Sequence, residues 1–222
     1  MSAKNKKKEI ADMIVKMSGT YSPYNVFRDW VEMYAISISN TCHIIHNKLW
    51  QQREDTYMTL INKYTKEQQV TICKMSALLV EIFEEEITDI LGSIYMEAGC
   101  GSKYTGQFFT PFHISEMMNM MSIPSDVSEQ KIFHLNEPSC GGGAMVIAAA
   151  KVLKDRGLNY QKCMRVVAQD LDWLGVYMTY IQMSVLGING VVVQGDTLLQ
   201  PYQSNYPESR ILRTPANMGC LI

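Results

Sequence analysis

The chain has 222 residues, 47% of them hydrophobic, and a formal net charge of −2. That is apolar material for one generous domain, or for an ordinary domain with a helical region attached, and too much for a disordered chain. The balanced charge excludes a protein that grips nucleic-acid phosphates by basic surplus alone, and no apolar run reaches the ~20 residues that span a bilayer.

The start, AKNKKKEI, leads into a helical pattern and not into a signal-peptide core, so the expected location is cytoplasmic, with no membrane partner. Lys4, Lys6, Lys7 and Lys8 read as a solvated, frayed tail, with a phosphate-contacting arm as the sharper alternative. From Lys7 to about Gly99, apolar residues recur at three- and four-residue spacing, which predicts four helices broken at SGTYSP and at QQREDT. Tyr24, Phe27, Trp30 and Tyr34 keep helical spacing and are expected in a core. His43 and His46 form an HxxH pair without a Cys, Asp or Glu to complete a metal shell, so they are read as ordinary helix histidines and no metal is expected. Glu84, Glu85 and Glu86 splay around a helix and read as a solvated face. The six cysteines include no CxxC pair, which argues against a zinc knuckle and a secreted disulfide framework alike.

The texture then changes. GCGSKYTGQFFTP is a glycine- and aromatic-bearing loop, and Pro111 opens a short helix whose methionines (Met117, Met118, Met120, Met121) are expected to fill a core. From Lys131 the segments alternate: KIFHLNEP, MRVVAQD and GVVVQGDTL as strands, GAMVIAAAKVLKDRG and WLGVYMTYIQMSVLG as helices. Aliphatic strands separated by helices of this length predict an α/β class with parallel βαβ units, and right-handed crossovers place the strands in the order third, second, first. The boundaries are a helical region over 1–100 and half of a doubly wound sheet over 101–222.

In such a sheet ligands lie at the carboxyl ends of the strands, and each end here is polar: NEPSCGGG after the first, QDLD after the second, QGDT after the third. Gly141, Gly142 and Gly143 let a ligand approach backbone amides that a Cβ would cover. Asp170, acceptor-only when ionised, suits the two hydroxyls of a ribose, and Asp196 suits an adenine amino group. No Gly-Lys-Ser/Thr ending follows the glycines, which removes nucleotide hydrolysis. A dinucleotide fingerprint is closer, but its third glycine is replaced by Val146, and Glu137 before the turn repels a pyrophosphate while suiting a cation such as S-adenosylmethionine. A glycine turn by itself also serves as a plain strand-to-helix connection.

DILGSIYMEAG, GQFFTP, EPSCGGGAM, AQDLD, WLGVYMTYIQMSVLGING and GDTL, in that order over about residues 80 to 198, resemble the N6-adenine DNA methyltransferases, specifically the modification subunit of type I restriction systems. The resemblance implies a helical domain before a partial Rossmann-like S-adenosylmethionine-dependent methyltransferase sheet. It implies that Gln107, Phe108, Phe109, Thr110 and Pro111 close over the methionine end of the cofactor, and that Glu137, Ser139 and Gly141 to Gly143 surround its amino-acid part. Asp170 with Leu171 falls at the ribose, and Asp196 with Thr197 near the adenine. Ala144 stands where the family has a glycine. The family's Asn/Asp-Pro-Pro-aromatic motif, which holds the target amine and stacks on the flipped base, is not found, so no catalytic residue is assigned; Asn205-Tyr206-Pro207 and Thr214-Pro215-Ala216-Asn217 do not reproduce it.

The expected function is adenine-N6 methylation of DNA, by this chain or as a subunit with DNA and a specificity or other partner subunit. Alternatives are a catalytically inactive cofactor-binding module of a mobile element acting through a partner protein, and a small-molecule methyltransferase. The first strand of a half sheet is an edge of the kind proteins cover, so a homo-oligomer is a further expectation.

Overall fold

The computed structural model of the chain describes residues 2–19, 21–101 and 110–220. Two compact units result, one of Met1–Glu86 with Ile90–Phe108 and one of Ile87–Asp89 with Phe109–Ile222.

Among the described residues, five helices build the first unit: α1 (Ala3–Met17), α2 (Pro23–Thr41), α3 (Lys48–Ile61), α4 (Lys66–Glu85) and α5 (Ile90–Glu97). Their starts are written locally. The Ser22 side chain caps α2 with Pro23 in its first turn, Asn47 caps α3, and Thr65 with Gln68 forms a reciprocal capping box on α4. Phe27, Trp30 and Tyr95 meet edge to face at the centre, with ring centroids 5.9 and 5.3 Å apart, and the Trp30 indole donates to Ser76 Oγ at 3.0 Å. Buried Asp29 is ion-paired to Lys63 and Arg28 and accepts from the Tyr64 hydroxyl.

Three expectations change here. QQREDT lies inside α3, because glutamine, arginine and glutamate are good helix formers whatever their polarity. The break falls instead at residues 42–47, so His43 and His46 are off the helix, and a further break before α5 makes five helices of the expected four. The lysine-rich start is not a frayed tail: it lies in α1, where Lys6 is held by Glu85 and Glu81 at 2.7 and 2.9 Å and Lys7 by Glu86 at 2.6 Å.

The second unit contains α6 (Phe112–Ser122), β1 (Phe133–Glu137), α7 (Ala144–Asp155), a single turn α8 (Tyr160–Cys163), β2 (Met164–Asp170), α9 (Trp173–Val185), β3 (Gly190–Gln194), β4 (Ile211–Arg213) and a final turn α10 (Pro215–Met218). The sheet order is β1-β2-β3-β4, with the first three strands parallel and β4 antiparallel to β3. The expected order of third, second, first therefore holds, and β4 lies beyond β3. Met164, Val166, Ala168 and Val192 point to one face of the sheet, where α9 lies so close that a Cβ on Gly190 would meet the Met183 methyl at 2.7 Å. Val191 and Val193 on the other face pack with Tyr206, Ile211, Val167 and Tyr202. Gln169, 2% exposed, pins that cover by donating to Gln200 O and accepting from Tyr202 N. On α6, Met117, Met118, Met120 and Met121 are 45–81% exposed and not core, because the helix buries Ser115 and Asn119 instead.

Candidate functional site

The parallel strands bring their carboxyl ends into line, with Glu137 paired to Ala168 and Asp170 paired to Gln194. Gly141 and Gly143 adopt left-handed backbone, at φ 50 and 94, and Gly143 N–H closes the turn onto Cys140 O at 2.8 Å. The turn is tied to the second strand tip. Asp170 Oδ2 accepts Gly141 N–H at 2.7 Å, Asp170 Oδ1 accepts Asp172 N–H at 2.9 Å, and Cys140 N–H donates to Gln169 O at 2.9 Å. Each Asp170 oxygen retains a second acceptor direction.

The third tip joins the same network. Thr197 Oγ1 donates to Pro138 O at 2.7 Å, and the Gln194 side-chain amide donates to Leu171 O at 2.8 Å. Asp196 Oδ1 accepts the N–H groups of Leu198 and Leu199, which shapes its own turn. Ser139 is exposed, and its N–H donates to Glu137 Oε1 at 3.2 Å. Hydrogen bonds thus draw together Glu137, Ser139, Gly141, Asp170, Leu171 and Thr197. Thr110 and Pro111 stand outside that network, exposed at the start of α6; Asn119 fastens this helix to the first turn of α7 through Met145 O at 3.0 Å. Gln107, Phe108 and Phe109 lie outside the described residues.

Glu137 is electrostatically uneasy. Burial pushes its carboxyl above the ordinary range, the negative charge of Asp170 adds to that, and the Ser139 N–H opposes it only in part. Among the described residues no basic side chain pairs with it. The neighbouring thiol is no nucleophile, since burial pushes Cys140 up to about 12.

A stripe along α9 that the sequence reading passed over holds the turn from beneath. A Cβ on Gly175 would stand 2.9 Å from Gly141 O, so only glycine admits the helix this close. Thr179 Oγ1 donates to Gly141 O at 2.9 Å, and Gln182 Nε2 donates to Gly142 O at 2.6 Å and to buried Asp89 at 2.9 Å. The visible signal was a glycine, a hydroxyl and an amide at spacings of four and three on an otherwise apolar helix.

Neither proline-bearing C-terminal segment carries an amine-holding motif at this site. Thr214 Oγ1 bonds Ile188 O and Gly190 O, which places Thr214-Pro215 at the amino end of β3, the wrong end of the sheet. Tyr206 does reach the carboxyl end of β3, where its hydroxyl donates to Gln194 O at 3.1 Å, but it is buried under the sheet cover.

Residues 86–214 match the model of a family described as N-6 DNA methylase. Among solved structures, a type I restriction-modification methyltransferase subunit from Streptococcus thermophilus is 17% identical with a TM-score of 0.47, over 83% of this chain and 42% of that one. A putative class I S-adenosylmethionine-dependent methyltransferase from Listeria monocytogenes is 10% identical with a TM-score of 0.51, over 88% of this chain and 54% of that one. The chain spans about half the length of these structures, and no curated protein matches it.

Proposed function

Because this chain belongs to the N-6 DNA methylase family, we propose that the strand tips of its second unit bind S-adenosylmethionine and that the chain serves transfer of the methyl group to the exocyclic amine of adenine in DNA. The observation that carries this reading is Glu137, a half-buried carboxylate whose charge is opposed by burial and by Asp170 and is matched by no protein cation among the described residues. A ligand with an ammonium and a sulfonium, and no phosphate, supplies the missing positive charge; a pyrophosphate would be repelled.

Glu137 and the bare amides of Gly141 to Gly143 would hold the amino-acid part, the spare acceptor directions of Asp170 the ribose, and exposed Leu171 with Asp196 and Thr197 the adenine. The segment Gln107 to Pro111 would cover the methionine end. When bound, the cofactor supplies an electrophilic methyl group. Among the described residues the tips carry no Asn/Asp-Pro-Pro-aromatic motif to hold the target amine and stack on its base, and Thr214-Pro215 is at the other end of the sheet. Transfer therefore calls for acceptors from outside these residues, such as a specificity or other partner subunit. The same observation favours a second reading, a cofactor-binding module without transfer of its own that acts through its partner.

Calorimetry with S-adenosylmethionine tests the seat. The chain is expected to bind, and Glu137→Gln to bind about 10–100-fold more weakly, the scale of a lost charge-assisted contact; an absence of binding by the unaltered chain overturns the reading. Methyl incorporation into adenine is expected to be negligible for the chain alone. Incorporation that appears with a partner subunit identifies an enzyme subunit, and none under any pairing leaves the binding module.

A further inference from the structure

A second site lies in the helical unit, at the carboxyl end of α2. Here the chain leaves the helix at Cys42, crosses residues 43–47 and enters α3, bordering an open cavity of about 460 Å3 lined by Asn40, His43, His46, Trp50, Glu54 and Tyr57 among others. Its walls are flat and aromatic. The His46 imidazole lies parallel to the Trp50 indole, with centroids 3.8 Å apart and planes 5° from coplanar, and Tyr57 stands one turn of α3 from Glu54.

Three of its polar side chains, Asn40, His43 and Glu54, present acceptors. Asn40 is 8% exposed; its amide nitrogen donates to Glu54 Oε2 at 3.1 Å and to Trp50 O at 3.4 Å, while its Oδ1 has no hydrogen-bond partner. His43 Nδ1 lies 2.7 Å from Ser39 O, and a carbonyl can only accept, so Nδ1 carries a proton and, in the neutral ring, Nε2 offers a lone pair. Glu54 has no cationic partner among the described residues. The Thr41 hydroxyl, which could have donated, is committed to Ser37 O at 2.8 Å. The negative end of the α2 dipole adds to this field, since α2 has no basic residue in its own last turn, and it is offset in part by the Arg53 guanidinium of α3, which donates to Ser39 Oγ at 2.8 Å.

We propose that this cavity binds a guanidinium group, either as a free small molecule or as an arginine side chain of a partner polypeptide. A guanidinium presents several N–H donors in one plane, matching the Glu54 carboxylate and His43 Nε2, with Asn40 Oδ1 unpartnered and buried behind them, and its flat face stacks on indole, phenol and imidazole. An ammonium offers the charge without the plane. A phosphate or a nucleic-acid backbone meets the carboxylate and the carboxyl end of a helix, both of which repel it.

The test uses the full chain, calorimetry and tryptophan fluorescence. The probes are agmatine and a short peptide with one internal arginine, alongside copies of the peptide carrying lysine or citrulline in its place. Arginine-bearing probes are expected to bind and to perturb the Trp50 emission, the lysine peptide to bind more weakly, and the citrulline peptide not to bind. Glu54→Gln is expected to weaken the guanidinium probe about tenfold or more with the thermal midpoint unchanged. Trp50→Phe, which removes the indole face that stacks on the guanidinium and its N–H bond to Asn40 O, is expected to weaken binding by calorimetry and to abolish the fluorescence response. Agmatine equal to the peptide assigns a small-molecule ligand, and a tighter peptide assigns a polypeptide partner. The proposal is overturned if neither guanidinium probe binds, if citrulline binds as well as arginine, if Glu54→Gln binds undiminished, or if a single-stranded oligonucleotide occupies the cavity in their place.

Discussion

Glu137 links charge, stability and ligand at the scale of one residue. Its folded carboxyl titrates above the ordinary range, so the folded chain holds a proton that the unfolded chain has already lost. The stability that goes with that proton is complete below the ordinary carboxylate range and disappears as pH rises through the raised value. At pH 7 the ionised group is therefore a burden, and Glu137→Gln is expected to raise the thermal midpoint by about 1–3 °C, the scale of a sub-kcal change in a chain of this size. The same substitution removes the partner of a cationic ligand, so the gain in stability comes with the loss in cofactor affinity given above. Affinity of the unaltered chain should fall as the solution is acidified through the raised range, and that dependence should be absent from Glu137→Gln; a pH series of calorimetric titrations checks both.

Among the elements, α9 does more than cover the sheet. Gly175, Thr179 and Gln182 present one face to the glycine turn and fix its two carbonyls. Gln182→Leu withdraws donors from Gly142 O and from buried Asp89 and is expected to cost about 2–4 kcal/mol, measured by chemical denaturation. Gly175→Ala drives a methyl group against Gly141 O and is expected to cost about 1–3 kcal/mol and to weaken cofactor binding through the displaced turn. The alternation of strands and helices, the strand order and the polar tips were legible in the sequence, because buried parallel strands and amphipathic helices leave periodic marks. The α9 contacts were not, since a hydroxyl or amide on an apolar helix does not announce which carbonyl it will meet. QQREDT misled for the opposite reason: polarity marks exposure, and an exposed stretch of good helix formers remains helix. The direction of β4 was equally hidden, because a three-residue strand has too little alternation to specify a partner.

For the whole molecule, each unit has its own core, one centred on Phe27, Trp30 and Tyr95 and one under the sheet around Val166, Ala168 and Val192. Two unfolding transitions are expected in calorimetric scans, and S-adenosylmethionine should move one while agmatine moves the other, because a ligand stabilises what it binds in the folded state. A single transition shifted by both ligands would contradict this. The buried thiol of Cys140 then becomes a clock. It sits 6% exposed beneath the glycine turn, so an alkylating reagent can label it only during moments when the turn lifts, and peptide mapping distinguishes it from the other thiols. The labelling rate counts those liftings, and a seated cofactor should slow it without touching the rate at exposed Cys73.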